Sequence, residues 1–163
     1  MPDPMSNRAL ELLRKHWGHD RFRPGQAEII QAAAEGQDVL ALLPTGGGKS
    51  ICYQIPGLLR GGLTVVISPL IALMQDQVRG LRQHGLPATY INSSLNQREI
   101  ERRLGECQDG HHHFLFLAPE RLSSELLQQR LPQLAIRLVA VDEAHCISQW
   151  GYNFRPAYRR IRD

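Results

Sequence analysis

Apolar residues fall along this chain in short, nearly unbroken runs set between turn residues. "DVLALL" (38–43), "LTVVIS" (63–68), "ATYIN" (88–92), "HFLFLA" (113–118) and "IRLVAVD" (136–142) have the length and composition of strands covered on both faces. Helical spacing predicts helices over 25–35, 48–59, 70–84, 95–107 and 120–130, after an N-terminal helix at about 6–16. In the helix over 70–84, Leu70, Ile71, Leu73 and Met74 are expected in the core. Strand and helix alternate throughout, and no internal repeat interrupts them. The alternation predicts an α/β fold: a mostly parallel sheet with helices on both faces.

Composition changes this picture little. The 163 residues are 42% hydrophobic and 21% charged, enough for one domain with a sizeable core. No apolar run approaches a membrane span, and the first residues show no secretory pattern. Cys52, Cys107 and Cys146 are odd in number and far apart, which points to reduced thiols and a cytoplasmic setting. The "HHH" at 111–113 sits at a turn with no other ligands clustered in sequence, so it is expected to be a polar loop. Charge is more telling. The net value is only +3, but Lys15 and Lys49 are the sole lysines, and Arg155, Arg159, Arg160 and Arg162 crowd the last residues. Such a tail permits a nucleic-acid partner without requiring one.

Chemistry enters at "LLPTGGGKS", which follows the first expected strand and precedes a helix. Three consecutive glycines let the backbone turn tightly and aim its N–H groups at a phosphate. The helix N-terminus adds the positive end of its dipole. Thr45, Gly46, Gly47, Gly48, Lys49 and Ser50 form the core of a phosphate loop, with Lys49 reaching the β/γ-phosphates and Ser50 offering a hydroxyl to Mg²⁺. The general pattern asks for glycine at position 43, where this chain has Leu43. "LVAVDEAH" then ends an apolar strand in Asp142 and Glu143. An aspartate at a strand tip can hold Mg²⁺, and the next carboxylate can take a proton from an attacking water. Phosphate loop and carboxylate pair together define a nucleoside triphosphatase.

Beyond that point the motifs resemble a family. Asp142-Glu143-Ala144-His145 is a DEAH box, and the chain is similar over nearly its whole length to RecQ-family DNA helicases. "FRPGQAEII" (22–30) resembles that family's adenine-recognition motif, "LPTGGGKSICYQIP" (43–56) its motif I and "VISPLIALMQDQV" (66–78) its motif Ia. "APERL" (118–122) resembles a further strand-contact motif, and "DEAHCISQWGYNFRPAY" (142–158) motif II running into an aromatic-rich loop. The resemblance implies a RecA-like P-loop lobe using ATP and Mg²⁺, with a helical segment at 1–36 and a core at 37–163. It implies nucleotide contacts at His19, Arg23 and Gln26. The Gln26 amide suits N6 and N7 of adenine. The family usually has an aromatic where this chain has His19.

For DNA, the resemblance points to Ser68 and Arg121 and to the loop carrying Trp150, Tyr152, Phe154 and Arg155. Aromatics interleaved with arginine stack on unpaired bases with little regard to sequence. Tyr152-Asn153 stands where the family typically has His-Asp. ATP-dependent 3′-to-5′ unwinding of DNA, acting on single-stranded and duplex DNA, is the implied activity, with repair and recombination as its setting and the nucleoid as its place in a bacterium. A DEAH-type RNA helicase is an alternative that the aromatic loop disfavours. The resemblance also implies a motif III strand between the phosphate-loop and DEAH strands, then a second lobe with an arginine finger, a zinc-binding domain and a winged helix. This chain carries none of them, so the lobe is expected to be incomplete at its C-terminal end, with unpaired strand edges. The 163 residues alone are expected to bind ATP or DNA without turnover.

Overall fold

A computed structural model describes residues 4–39 and 49–142. Residues 1–61 and 62–163 make two compact units. In the first, helix α1 (Pro4–Leu12) continues through one π-helical turn, Leu13–Trp17, and stops at Gly18. Gly18 takes φ 72°, and its N–H returns to the Arg14 carbonyl at 3.1 Å, the usual way a glycine closes a helix. Helices α2 (Gln26–Ala34) and α3 (Ile51–Arg60) come next in this unit. Ala9, Leu13, Ile30 and Ile55 form the buried centre of this unit, flanked by Leu10, Trp17, Phe22 and Leu59. Of the strand expected over 38–43, only Asp38 and Val39 lie within the described residues, and neither is in a strand.

The second unit holds four parallel strands: β1 (Leu63–Ile67), β2 (Ala88–Ile91), β3 (Phe114–Leu117) and β4 (Ile136–Val141), in the spatial order β2-β3-β1-β4. Between them run α4 (Ile71–Gln83), α5 (Gln97–Gln108) and α6 (Glu125–Arg130). The chain moves one way across the sheet from β1 to β2, then back through β3 to β4. With crossovers of one hand, that reversal puts α4 on the opposite face from α5 and α6. Packing agrees. Ile100, Leu104 and Leu127 of α5 and α6 meet Val65, Ile67, Ile91, Leu115 and Leu117 in one cluster. Across the sheet, α4 brings the Met74 sulfur to 3.8 Å from the Asn92 amide nitrogen.

The expected parallel sheet with helices on both faces is therefore present, with local differences. Helix α4 starts at Ile71, one residue later than expected. Met74, Val78 and Leu81 then make the buried stripe, while Leu70 and Leu73 fall off it and are exposed. The helix expected over 120–130 is split. A 3₁₀ segment, Pro119–Ser123, comes first, and α6 starts only where the Ser124 hydroxyl accepts from the Leu127 N–H at 3.2 Å. The histidine run is a loop, as expected, but His112 within it is largely buried and its Nε2 sits 3.1 Å from the Glu106 carboxylate. That contact holds Glu106 below the usual carboxylate range. Among the described residues no group of three or more His, Cys, Asp and Glu is placed to hold a metal, and no helix is long and apolar enough to cross a membrane.

Burial grades across the sheet. β1 and β3 are wholly buried, whereas β4 is only partly so. Among the described residues β4 has a strand neighbour, β1, on one side only. Its register against β1 slips by one residue at the start: Leu63 pairs with Ile136, but Thr64 pairs with Leu138. The extra residue, Arg137, lies over Gly62. A Cβ on Gly62 would sit 2.6 Å from Arg137 Cγ and 2.7 Å from the Ala135 carbonyl oxygen, and Gly62 has φ +65°. The bulge and the glycine require each other. Gly62→Ala should lower unfolding stability by on the order of 1–3 kcal/mol. Gly110→Ala, also at positive φ but in open space, should cost clearly less. Urea unfolding of both variants measures this, and equal losses would show that the bulge contact is not limiting.

Candidate nucleotide and nucleic-acid site

Four parallel strands in register end together, and their ends define a row. Ile91, Leu117, Ile67 and Val141 are aligned across the sheet. The next residue of each strand continues the ladder. The Ala118 N–H donates to the Ile91 carbonyl at 3.1 Å, Ser68 to Leu117 at 3.0 Å and Asp142 to Ile67 at 2.8 Å. Asn92, Ala118, Ser68 and Asp142 therefore stand side by side, spaced by the strand separation of about 4.8 Å. Carboxyl ends of parallel strands are where such sheets bind ligands. Asp142, expected from sequence to hold a metal, is a partly buried carboxylate at one end of this row.

Each position on the row has its own fittings. Ser68 is buried, and its hydroxyl accepts from the Leu70 N–H at 3.2 Å. The group expected to meet a DNA phosphate thus closes the turn into α4, and exposed Leu70 is what the turn presents outward. Just past β2 lies a polar turn that the strand pattern does not reveal. Asn92 is fully buried, and its Oδ1 accepts from both the Ser94 N–H (2.9 Å) and the Ser94 hydroxyl (2.6 Å). This turn holds Ser93 and Ser94 exposed beyond the strand tip. The legible signal was "NSS" directly after an apolar strand, since Asn and Ser close such turns by bonding their own backbone. Arg121 lies just past Ala118, half-buried, with an Nη2 donating to the Leu95 carbonyl at 3.4 Å. It links the loops that come after β2 and β3, and its Nε is buried without a hydrogen-bond partner.

The N-terminal unit carries the other expected residues. Gln26 opens α2 after Gly25, which has φ 87°. It is almost wholly buried, and its Oε1 accepts from the Arg23 N–H at 2.8 Å. That bond fixes the carboxamide's orientation. His19 and the Arg23 side chain are exposed. Lys49 and Ser50 precede α3, and the Ser50 carbonyl starts the helix by accepting from Gln54 N–H at 2.9 Å. Ser50 occupies the cap position, yet its hydroxyl makes no capping bond. Cys52, one turn on, is buried, and that burial pushes its thiol up to about 11. Cys107 is likewise pushed up to about 12, chiefly by burial and further by Glu106. Both are free, buried thiols. Thr45, Gly46, Gly47, Gly48, Glu143, Trp150, Tyr152, Phe154 and Arg155 lie outside the described residues, as does Cys146.

Residues 23–163 match the DEAD/DEAH box helicase family, and the chain belongs to that family. Within it, the similarity is to RecQ proteins. The chain is 49% identical over 158 residues to the ATP-dependent DNA helicase RecQ of Bacillus subtilis, covering 96% of this chain and 27% of that protein. It is 49% identical to RecQ of Synechocystis, over 93% of this chain and 32% of that one. The rat ATP-dependent DNA helicase Q1 is 41% identical over 97% of this chain. The chain thus spans about a quarter to a third of these relatives' length. Two solved structures share the fold. Mycobacterium smegmatis helicase Lhr, bound to ssDNA and AMP-PNP, has TM-score 0.68 and 19% identity over 98% of this chain and 22% of its own. The helicase MrfA, bound to DNA and AMPPNP, has TM-score 0.64 and 20% identity over 89% of this chain and 22% of its own.

The buried Asn92 turn is the test of the row. Asn92→Ala strands the Ser94 groups it satisfies and should cost about 1–3 kcal/mol of stability. The measurement is chemical denaturation together with amide exchange at residues 93–95. Unchanged protection there would show that Asn92 does not order the turn.

Proposed function

We propose that this chain is the ATP-binding lobe of a RecQ-type DNA helicase. The observation that carries the reading is 49% identity to RecQ proteins over almost all of its length, with the phosphate loop, the DEAH box and the strand-tip residues all present in order. Lys49 neutralises the β/γ-phosphates, and the glycines at 46–48 cradle them with backbone N–H groups. Gln26, His19 and Arg23 hold the base. Ser50 and Asp142 each have the donor chemistry of a magnesium ligand: a hydroxyl free of capping duty and a carboxylate pinned at a strand tip are both hard oxygen ligands. Bound MgATP supplies the phosphoanhydride bond whose hydrolysis drives the cycle. Glu143 accepts the proton of the attacking water.

The nucleic-acid side is assigned to Arg121, to the backbone around Ser68 and to Trp150, Tyr152, Phe154 and Arg155. Aromatic stacking on unpaired bases and arginine contacts to phosphate fit a single DNA strand. Unwinding in the 3′-to-5′ direction is proposed for this lobe acting with a second one, because the γ-phosphoryl charge needs an arginine that such a lobe supplies.

Nucleotide binding tests the first half. Fluorescent ATP analogue titration should show Lys49→Ala weakening binding by roughly tenfold or more, and Gln26→Ala should erode preference for ATP over GTP. Indifference to both changes would overturn the nucleotide assignment. For the second half, single-stranded DNA and RNA compete for the chain. Clear RNA preference would overturn the substrate class in favour of an RNA-dependent enzyme.

A further inference from the structure

Among the described strands β2 is outermost, with β3 on one side. Successive carbonyls of a strand point to opposite sides. The Pro87 carbonyl accepts from His113 N–H at 2.9 Å and the Ile91 carbonyl from Ala118 N–H at 3.1 Å, so the odd-numbered residues face β3. The carbonyls of Ala88 and Tyr90 therefore face outward, where an edge strand ordinarily offers itself to another chain. Neither is open. Arg82 of α4 donates its Nε–H to the Ala88 oxygen at 3.0 Å. Arg103 of α5 donates an Nη1–H to the Tyr90 oxygen at 2.8 Å.

The two arginines come from opposite faces of the sheet and meet at its edge. Arg103 reaches round the edge to lie 4.5 Å from the centre of the Tyr90 ring, and Glu99 steadies it at 3.7 Å. Arg82 lines a shallow hollow with Gln75, Val78, Arg79 and Tyr90. An added strand would lie about 4.8 Å out and would need both carbonyls as acceptors. The guanidinium groups occupy that lateral space and those acceptors together. Arginine suits the task because its planar fork keeps donors in fixed directions.

We propose that Arg82 and Arg103 are paired clips that close the β2 edge to strand addition, whether by a second copy of this chain or by an extended peptide. The sequence holds the danger they answer: "ATYI" is short, β-prone and uncharged. The test is the double variant Arg82→Met, Arg103→Met, which keeps an aliphatic stem at each position while removing the donors. Sedimentation over a concentration series should show it self-associating roughly tenfold more tightly than the parent. Leu127→Ala, which opens a core cavity on α6 and leaves both arginines in place, serves as the destabilised control. Equal association by that control, or a folded double variant that sediments like the parent, overturns the proposal. A second measurement needs no variant: a fluorescent peptide of residues 87–92 should fail to bind the parent chain, and binding to its β2 edge overturns the proposal.

Discussion

The hydrogen bond from the Asp142 N–H to the Ile67 carbonyl, 2.8 Å long, is the constraint on which the row of strand-tip residues rests. Among the described residues it is the last rung between β4 and β1, and it sets where the first acidic residue of the DEAH box emerges. Two further rungs, Ser68 to Leu117 and Ala118 to Ile91, carry the same level across the sheet. The side chains at the strand tips are aligned because backbone pairing is periodic, and no side chain has to be steered there individually. A slip by one residue at the tip would turn Asp142 to the other face and replace it in the row with an apolar neighbour. The slip that does occur, at Arg137, lies at the far end of β4, where it leaves the tip register intact.

Much of this was legible in the sequence because it is encoded in local pattern. β1 and β3 are unbroken apolar runs, and the structure buries every residue of both. Asp142 was legible because its strand-end carboxylate follows a phosphate loop upstream; alone, acidic residues at strand ends are common. What escaped was decided by hydrogen bonds between residues close in sequence whose partners composition does not reveal. Ser68 carries the residue type of a phosphate contact, but its hydroxyl closes a turn and its side chain is buried. Leu70 and Leu73 belong by type to a core, yet α4 starts one residue later than periodicity suggested, and both rotate out to solvent. The Asn92 turn was missed for the opposite reason: a polar trio after a strand looks like any loop until its bonds are counted.

The arginine-rich composition also takes on a more definite meaning. Arginines at 82, 103 and 121 donate to backbone carbonyls at Ala88, Tyr90 and Leu95, so they act as structural donors before any partner arrives. A count of positive charge would have credited all three to a nucleic-acid surface. Only Arg121 stands near the strand tips, where such a surface would be.

β4 is the least covered of the four strands, and it carries the carboxylate. Stability within a domain is graded, and segments with few buried contacts open first. The position of Asp142 is therefore governed by the local opening free energy of one thinly covered strand, below that of the β1–β3 core. A neighbour that paired with the outer side of β4 would leave the centre of the sheet unchanged. It would raise the fraction of time for which Asp142 is held in place.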